Sequence, residues 1–283
     1  VLTKEGFRTG SVSLSNDPHV LIGTTRLSPP VNYLNEKRGA TRLNNEKNHI
    51  LLSTIKDLNN STKMPLKSGL FAETWSEKLY TSIEQGATLY SILEHSRVTT
   101  AFPESSSLGR QLEMTSRMIK ARQRRETQRD VFFVTLNGFD THADDGTVLS
   151  AKFTEVNNAI QSFVTEMTRQ NVWNNVVLIE ASDFGRTLTP NNNGGTDHGW
   201  GGNYFLIGGG VKGGRILGRY PSDLTDNGEQ SIKRGRVLPS TSWQTVWNGV
   251  GEWFGITTDA ELDEVLPDRD EFNDLMNRED LFV

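Results

Sequence analysis

The chain contains no cysteine among its 283 residues. Disulfide bonds, thiolate metal sites and a cysteine nucleophile are therefore excluded. No apolar run approaches the roughly 18 residues that a membrane-spanning helix needs, so we expect no transmembrane segment. A surplus of basic residues is also missing, because the formal net charge is −5. This acidic balance gives no electrostatic reason to expect nucleic acid as a partner.

Short motifs for nucleotide binding and serine-hydrolase chemistry are missing as well. The glycine-rich stretch 208–214 lacks the Gly-Lys-Ser/Thr of a P-loop, and it does not lead into a helix as a dinucleotide fingerprint does. The Gly-x-Ser-x-Gly elbow of serine hydrolases does not occur. We interpret residues 208–214 as the turn of a hairpin between apolar runs at 204–207 and 215–218.

What remains is the composition of a globular chain with many turns. Hydrophobic residues make up 35%, charged residues 23%, and there are 26 glycines. A chain of this length buries a large core, and it shows no repeats and no long linker. We therefore expect a single domain over residues 1–283. Within it, residues 1–101 form a divergent, largely helical section and residues 102–283 carry the candidate site.

Apolar spacing predicts helices after an N-terminal region of short strands and loops over residues 1–45. Helical intervals occur over residues 48–58, 71–95, 105–120, 148–170 and 240–254, with a short final helix beginning at Pro267. The second helix is continuous or bends at Gly86. We interpret the basic run 120–129 as a solvated helix end. The three tryptophans of stretch 240–254 are predicted to lie in the core.

Chemically distinctive side chains lie in two turns, each directly after an apolar run. Asp140 and His142 follow the run 131–136, and Asp183 and Arg186 follow the run 176–180. A helical stretch separates the two runs, so the pattern is β-α-β and predicts parallel, neighbouring strands. Asp140 and Asp183 would then share the carboxyl edge of one sheet, where open α/β folds bind ligands.

A third turn places Asp197 and His198 between glycines. Carboxylate and imidazole together suit a divalent metal ion, and with no thiolate available we expect Zn, Mn, Ca or Mg. The candidate metal ligands are Asp140, His142, Asp183, Asp197 and His198. Arg186 is the candidate catalytic residue, because a guanidinium beside a metal ion suits a phosphate or sulfate oxyanion.

Each motif could also have a purely structural role, without metal binding or catalysis. Asp140 could cap its loop while His142 lies at the surface. Arg186 could form an ion pair with Asp183 that only holds its turn. Asp197 could accept a hydrogen bond behind a ligand instead of binding the metal itself.

The order of these motifs resembles a known family. Gly-Phe-Asp-Thr-His at 138–142, Ser-Asp-Phe-Gly-Arg-Thr at 182–187 and Gly-Thr-Asp-His-Gly-Trp-Gly at 195–201 are similar to the DUF1501 family, a sulfatase-like family of the alkaline phosphatase superfamily. The similarity is clear from about Phe102 to the end and faint before it. It implies a three-layer α/β/α sandwich with a largely parallel sheet, and one or two divalent metals at strand carboxyl ends.

The resemblance also implies roles for individual residues. Asp140 and His142 resemble the ligands after the middle strand, and His198, with Asp197, resembles the last histidine ligand. Asp183 resembles the ligand of a later Asp-His turn, although Phe184 replaces that histidine. Two residues depart from the family pattern, because Asn137 stands where glycine is usual and Asp183 where glutamate is usual.

Active members of the superfamily cleave phosphate or sulfate esters with a serine, threonine or modified cysteine near the N-terminus. No such segment is found here, and the start at Val1 without Met suggests an interior point of a longer chain. We expect a metal-dependent hydrolase of small-molecule esters whose nucleophile segment lies upstream of residue 1. The alternative is a catalytically degenerate protein that keeps the fold for assembly with a protein partner. Either version is expected to be secreted, periplasmic or at the cell surface.

Overall fold

The computed structural model describes residues 1–15, 21, 31–37, 39–40, 49–59, 70–143 and 145–283. Its strands are β1 (Thr9–Ser13), β2 (Val31–Tyr33), β3 (Arg129–Phe133), β4 (Val177–Ile179) and β5 (Leu206–Gly208). Its α-helices are α1 (His49–Leu58), α2 (Leu70–Glu94), α3 (Ser107–Lys120), α4 (Asp145–Arg169), α5 (Trp243–Phe254), α6 (Asp259–Val265) and α7 (Arg278–Leu281). Short 3-10 helices cover Trp173–Asn175 and Arg269–Glu271. None of the helices in these ranges is long and apolar enough to cross a membrane.

The chain divides into two compact units. The N-terminal unit is Thr9–Thr135, and the C-terminal unit combines Val1–Arg8 with Leu136–Val283. We predicted a division at residues 101/102 within a single domain. That position lies inside the N-terminal unit and does not coincide with the observed boundary. The boundary between the units directly precedes the loop that carries Asp140.

A parallel sheet organises the N-terminal unit. Its order is β2-β1-β3, and Val12 of β1 lies opposite Phe132 of β3. The side chain of Val12 is fully buried and packs with Leu93 and Met114, which come from α2 and α3. The predicted short strands near the N-terminus are therefore present, and β1 buries the apolar side chain of Val12 against two of the predicted helices.

Helix α3 follows the sequence signals closely. Its N-cap is Ser106, whose hydroxyl accepts a hydrogen bond from the Gly109 amide at 3.0 Å. Further along the helix, the Gln111 side chain exchanges two 2.9 Å hydrogen bonds with the backbone of Thr135. We predicted that the basic run 120–129 is a solvated helix end, but part of it is buried. Arg125 within it forms a largely buried ion pair with Asp130 at 2.7 Å.

The C-terminal unit contains an antiparallel pair, in which Val177 lies opposite Gly208. The predicted hairpin at 204–218 is therefore wrong, because the partner of β5 is β4. Residues 215–218 lie outside any strand, and Val211 forms a bridge with Phe282. The place beside β5 that we assigned to the second hairpin strand is thus taken by β4.

Helix α5 packs by its small residues more than by its tryptophans. Its buried positions are Thr245, Val246, Asn248, Gly249 and Val250. Trp247 is exposed by 37%, whereas Trp253 is partly buried and stacks on Phe282 with ring centroids 4.9 Å apart. The prediction that the three rings form the core is therefore corrected. The close packing of α5 on α7 requires small side chains, and the larger rings lie at its margin.

The predicted pairing of the β-α-β strands is also wrong. Helix α4 does follow β3 and precede β4, but β3 pairs with β1 and β4 pairs with β5. The sequence of β1, Thr-Gly-Ser-Val-Ser, has no apolar run, so it gave no sign of a parallel partner for β3. A shared sheet edge for Asp140 and Asp183 therefore has no basis in this pairing. The three-layer sandwich stays a prediction.

Candidate metal centre

Backbone contacts bring the three predicted turns together within the C-terminal unit. Ala143 forms an isolated antiparallel bridge with Gly194, and Arg186 forms one with His198. Gly195 lies directly against the first turn, since a Cβ atom at this position would be 2.3 Å from the carbonyl carbon of His142. Only glycine allows this approach, so the glycines around Asp197 and His198 do position the site.

Three side chains converge where these turns meet. The Asp140 Oδ1 atom is 3.0 Å from His142 Nε2 and 3.0 Å from His198 Nε2. The two Nε2 atoms are 3.3 Å apart. Each of the three side chains is about half exposed. Three of the five candidate ligands from the sequence, Asp140, His142 and His198, therefore lie together and form a triangle of donor atoms.

The triangle has dimensions that fit a metal ion. Two donors of a tetrahedral zinc ion, with bonds of about 2.0 Å, are separated by about 3.3 Å. Neighbouring donors of an octahedral ion with bonds of about 2.1 Å are separated by about 3.0 Å. The observed sides of 3.0, 3.0 and 3.3 Å agree with either arrangement. Among the described residues, Asp140, His142 and His198 form a group of side chains whose donor atoms lie close enough together to hold a metal ion.

Arg186 holds Asp140 and both neighbouring turns. Its Nη1 atom donates to Asp140 Oδ1 at 2.6 Å, and its Nη2 atom donates to the carbonyl oxygens of Thr141, at 2.6 Å, and Thr196. Its Nε atom donates to the Thr196 hydroxyl at 2.9 Å. The sequence left open an ion pair between Arg186 and Asp183, but the structure shows the ion pair of Arg186 with Asp140. The guanidinium fixes the carboxylate relative to the backbone of two loops.

Asp197 lies behind the triangle. Its Oδ1 atom is 3.6 Å from His142 Nδ1, the ring nitrogen opposite the one that faces Asp140. The same Oδ1 accepts a hydrogen bond from Asn191 Nδ2 at 3.3 Å, and Oδ2 accepts one from Arg234 Nη2 at 3.2 Å. Because Asp197 lies on the Nδ1 side of His142 and outside the triangle, the geometry favours a residue behind a ligand over a ligand itself.

Asp183 is the candidate that the structure does not bring into the group. Its side chain is exposed, and the cluster of metal-binding atoms excludes it. The Phe184 ring stacks on the His198 ring at 3.9 Å, and Arg186 reaches Asp140. The residues on either side of Gly185 thus contact the triangle, whereas Asp183 is not part of it.

The surroundings keep both carboxylates ionised. For Asp140, partial desolvation raises the pKa, but the hydrogen bonds from Arg186 and His198 outweigh it and the pKa lies below its usual value. For Asp197, the hydrogen bond from Asn191 is the main cause of a lowered pKa, and the charge of Arg234 adds to it against desolvation. Ionised carboxylates are the form that a cation requires.

Several residues of the site were missed by sequence reasoning. Asn191 belongs to a run of three asparagines and was not among the candidates, yet its Oδ1 accepts hydrogen bonds from the amides of Asn193 and Gly195. An Asn side chain that closes its own turn is a known property of the residue, and it could have been used. Thr196 and Arg234 carried no comparable signal.

The described elements and this cluster define a mixed α/β protein with a carboxylate–imidazole site built from loops. The family model described as "Protein of unknown function (DUF1501)" matches residues 25–234. The match covers most of the chain and includes every residue of the site, so this protein belongs to that family. The match begins earlier than the similarity that we expected from Phe102, and it ends before α5. No curated protein and no solved structure matches the chain.

Proposed function

We propose that the protein binds one divalent metal ion through Asp140, His142 and His198, and that this centre hydrolyses phosphate or sulfate esters. The observation that carries the metal proposal is the triangle of ligand atoms with sides of 3.0 to 3.3 Å. Three protein ligands on one side of an ion, with the other side open, are typical of catalytic zinc sites. The exposure of all three side chains leaves room for a substrate.

The ligand set narrows the choice of metal. Two imidazoles and one carboxylate suit zinc and related transition metals better than calcium or magnesium, which prefer oxygen ligands. Of the four ions expected from sequence, we propose zinc first and manganese second. When bound, such an ion polarises a phosphoryl or sulfuryl oxygen of the substrate.

The chain's own residues have separate tasks in this proposal. Arg186 holds the Asp140 carboxylate in place through a 2.6 Å ion pair. Asp197 orients the ring of His142 from its Nδ1 side. Phe184 covers one face of the His198 ring and thereby limits its rotation. The ester class rests on the resemblance of the motif order to sulfatase-like proteins of the alkaline phosphatase superfamily, and so does the proposed location outside the cytoplasm.

A second candidate is a non-catalytic protein that keeps this site for stability or assembly. One observation favours it, because Asp140 Oδ1 already accepts hydrogen bonds from Arg186 and His198. The carboxylate is therefore neutralised by the protein itself. The two candidates differ in whether the metal-loaded protein turns over an ester.

The test combines binding with turnover. Zinc and manganese affinities are measured by competition with a chelating dye for the wild type, His142→Ala and His198→Ala. Removal of either ligand should weaken binding by more than about 100-fold, beyond the usual effect of a residue behind a ligand. His95→Ala is the matched control, since His95 is exposed, contacts the Ser91 carbonyl oxygen through Nδ1 and does not belong to the cluster. Equal affinity in all four proteins would refute the site.

Turnover is then measured with an aryl phosphate and an aryl sulfate on the metal-loaded proteins. The hydrolase proposal expects activity in the wild type and in His95→Ala, and its loss in His198→Ala. Tight metal binding without turnover of either ester would favour the structural candidate.

A further inference from the structure

A second arginine lies at the rim of the candidate metal centre, and its environment differs from that of Arg186. Arg234 donates one hydrogen bond, from Nη2 to Asp197 Oδ2 at 3.2 Å. Its side chain is 69% exposed, compared with 20% for Arg186. Asp197 in turn approaches His142, so Arg234 is connected to the triangle through a single carboxylate.

Four of the five N–H donors of Arg186 are committed to the protein. A guanidinium carries five N–H groups, and Arg186 donates to Asp140, to the Thr196 hydroxyl and to the carbonyl oxygens of Thr141 and Thr196. Release of these bonds for a ligand would leave polar groups of two loops without partners. Arg186 is therefore suited to hold the site and poorly suited to receive an anion.

The turn that carries Arg234 is fixed although the side chain is exposed. Lys233, Arg234 and Gly235 all adopt left-handed backbone conformations, with φ of 68°, 57° and 69°. Non-glycine residues persist in this region only where the surrounding structure enforces it. Here the Gly235 carbonyl accepts a 2.8 Å hydrogen bond from the Leu188 amide. A Cβ at Gly235 would be 2.3 Å from the Thr189 nitrogen, so the turn lies tightly against residues 188–189.

We propose that Arg234 binds the oxyanion of a phosphate or sulfate group at this centre, and that Arg186 does not. The inference rests on the proposed metal function and specifies which residue recognises the anionic part of the substrate. An exposed guanidinium on a fixed turn presents a planar pair of donors to a tetrahedral oxyanion. Asp197 holds the guanidinium at the rim through one bond, which leaves the other donors for the ligand.

The test measures two affinities in each protein by calorimetry: zinc binding to the metal-free protein, and inorganic phosphate or sulfate binding to the zinc-loaded protein. Arg234→Ala should weaken anion binding by about 10- to 100-fold, the range of a charged hydrogen-bond pair, and leave zinc affinity within about 2-fold. Arg234→Lys keeps the charge without the planar donor pair and should fall between. Arg219→Ala, exposed on another loop and equal in charge change, should leave both affinities unchanged.

Arg186→Ala should show the opposite pattern, with weaker zinc binding because Asp140 loses its support. Normal zinc binding with unchanged phosphate and sulfate affinity in Arg234→Ala would overturn this inference and leave the proposed function intact. Loss of anion binding in Arg186→Ala alone, with zinc affinity unchanged, would assign the oxyanion to Arg186. A wild type that binds no zinc would overturn the proposed function, and this inference with it.

Discussion

At the scale of single residues, the Asp140 carboxylate is shared by several partners. Its Oδ1 atom accepts a hydrogen bond from Arg186 and lies 3.0 Å from the Nε2 atoms of both His142 and His198. One oxygen with this many positive or donating neighbours is held in its ionised form. Because these contacts require the ionised form, the contribution of the Asp140 carboxylate to the stability of the fold depends on pH.

The first prediction concerns acid sensitivity. The pKa of Asp140 is lower in the folded protein than its unfolded value of about 3.9. The stabilisation is therefore complete above about pH 4 and is lost as the pH falls through the folded pKa. Urea unfolding at pH 7 and below pH 4 should show a smaller acid-induced loss of stability for Asp140→Asn than for the wild type. Parallel losses in both proteins would contradict this role.

The second prediction concerns Asp197. If it orients His142 without binding the ion, Asp197→Asn should weaken zinc affinity by about 10- to 100-fold. Cobalt substituted for zinc should keep its coordination geometry, which the visible absorption spectrum reports. A change of cobalt geometry on substitution would instead make Asp197 a direct ligand.

At the scale of elements, the site depends on the close approach of two loops more than on any regular strand. The loop after Gly138 and the loop before His198 are joined by the Ala143–Gly194 bridge and by a 3.2 Å hydrogen bond from the Thr196 amide to the Thr141 carbonyl. Gly195 is the point of closest contact. The loops are therefore expected to tolerate little added volume there.

The third prediction is that Gly195→Ala separates the loops. The added Cβ would lie 2.3 Å from the His142 carbonyl carbon and 2.4 Å from the Ala143 nitrogen, so backbone must move. We expect a loss of about 1–3 kcal/mol in unfolding free energy, as for other overpacked sites, together with weaker zinc binding. Gly146→Ala is the control, because a Cβ there meets nothing within 4 Å and a helical position gains from alanine. Equal zinc affinity in both variants would show that the loop contact is dispensable.

The elements also show what the sequence could and could not predict. Apolar spacing located α2 but left open a bend at Gly86, and the structure shows one helix through that residue. The predicted helix over 105–120 corresponds to α3, which begins at Ser107 after its N-cap Ser106. Strand partners were not accessible, because β1 is polar in composition and β4 pairs with a strand beyond the next loops. The local apolar pattern indicates which residues form strands, but strand pairing is decided by contacts between residues that are distant in the chain.

The site was predictable to a similar degree. Asp140, His142 and His198 stood out because carboxylate and imidazole occurred together in turns, and the structure brings them together. Asp183 was misplaced because side-chain direction in an irregular turn depends on neighbours such as the Phe184–His198 stack. The turn that Asn191 closes is a local signal, but its hydrogen bond to the His142 carbonyl and that of Arg234 to Asp197 are long-range contacts that the sequence does not reveal.

At the scale of the whole molecule, metal binding should contribute to the stability of the C-terminal unit, where all site residues lie. Ligand that binds only the folded state stabilises it by about 2.7 kcal/mol at 100 times its dissociation constant. Zinc should therefore raise the melting temperature of the wild type and of His95→Ala, but not that of His142→Ala. An equal rise in all three proteins would indicate binding elsewhere.

The central claim is that Asp140, His142 and His198 together hold one divalent ion, and X-ray absorption spectroscopy of the zinc-loaded protein tests it most directly. The account predicts one zinc per chain with two imidazole nitrogens and carboxylate oxygen at about 2.0–2.2 Å, and one imidazole fewer in His198→Ala. Zinc that is absent after removal of excess metal, or that is bound without imidazole, would contradict it.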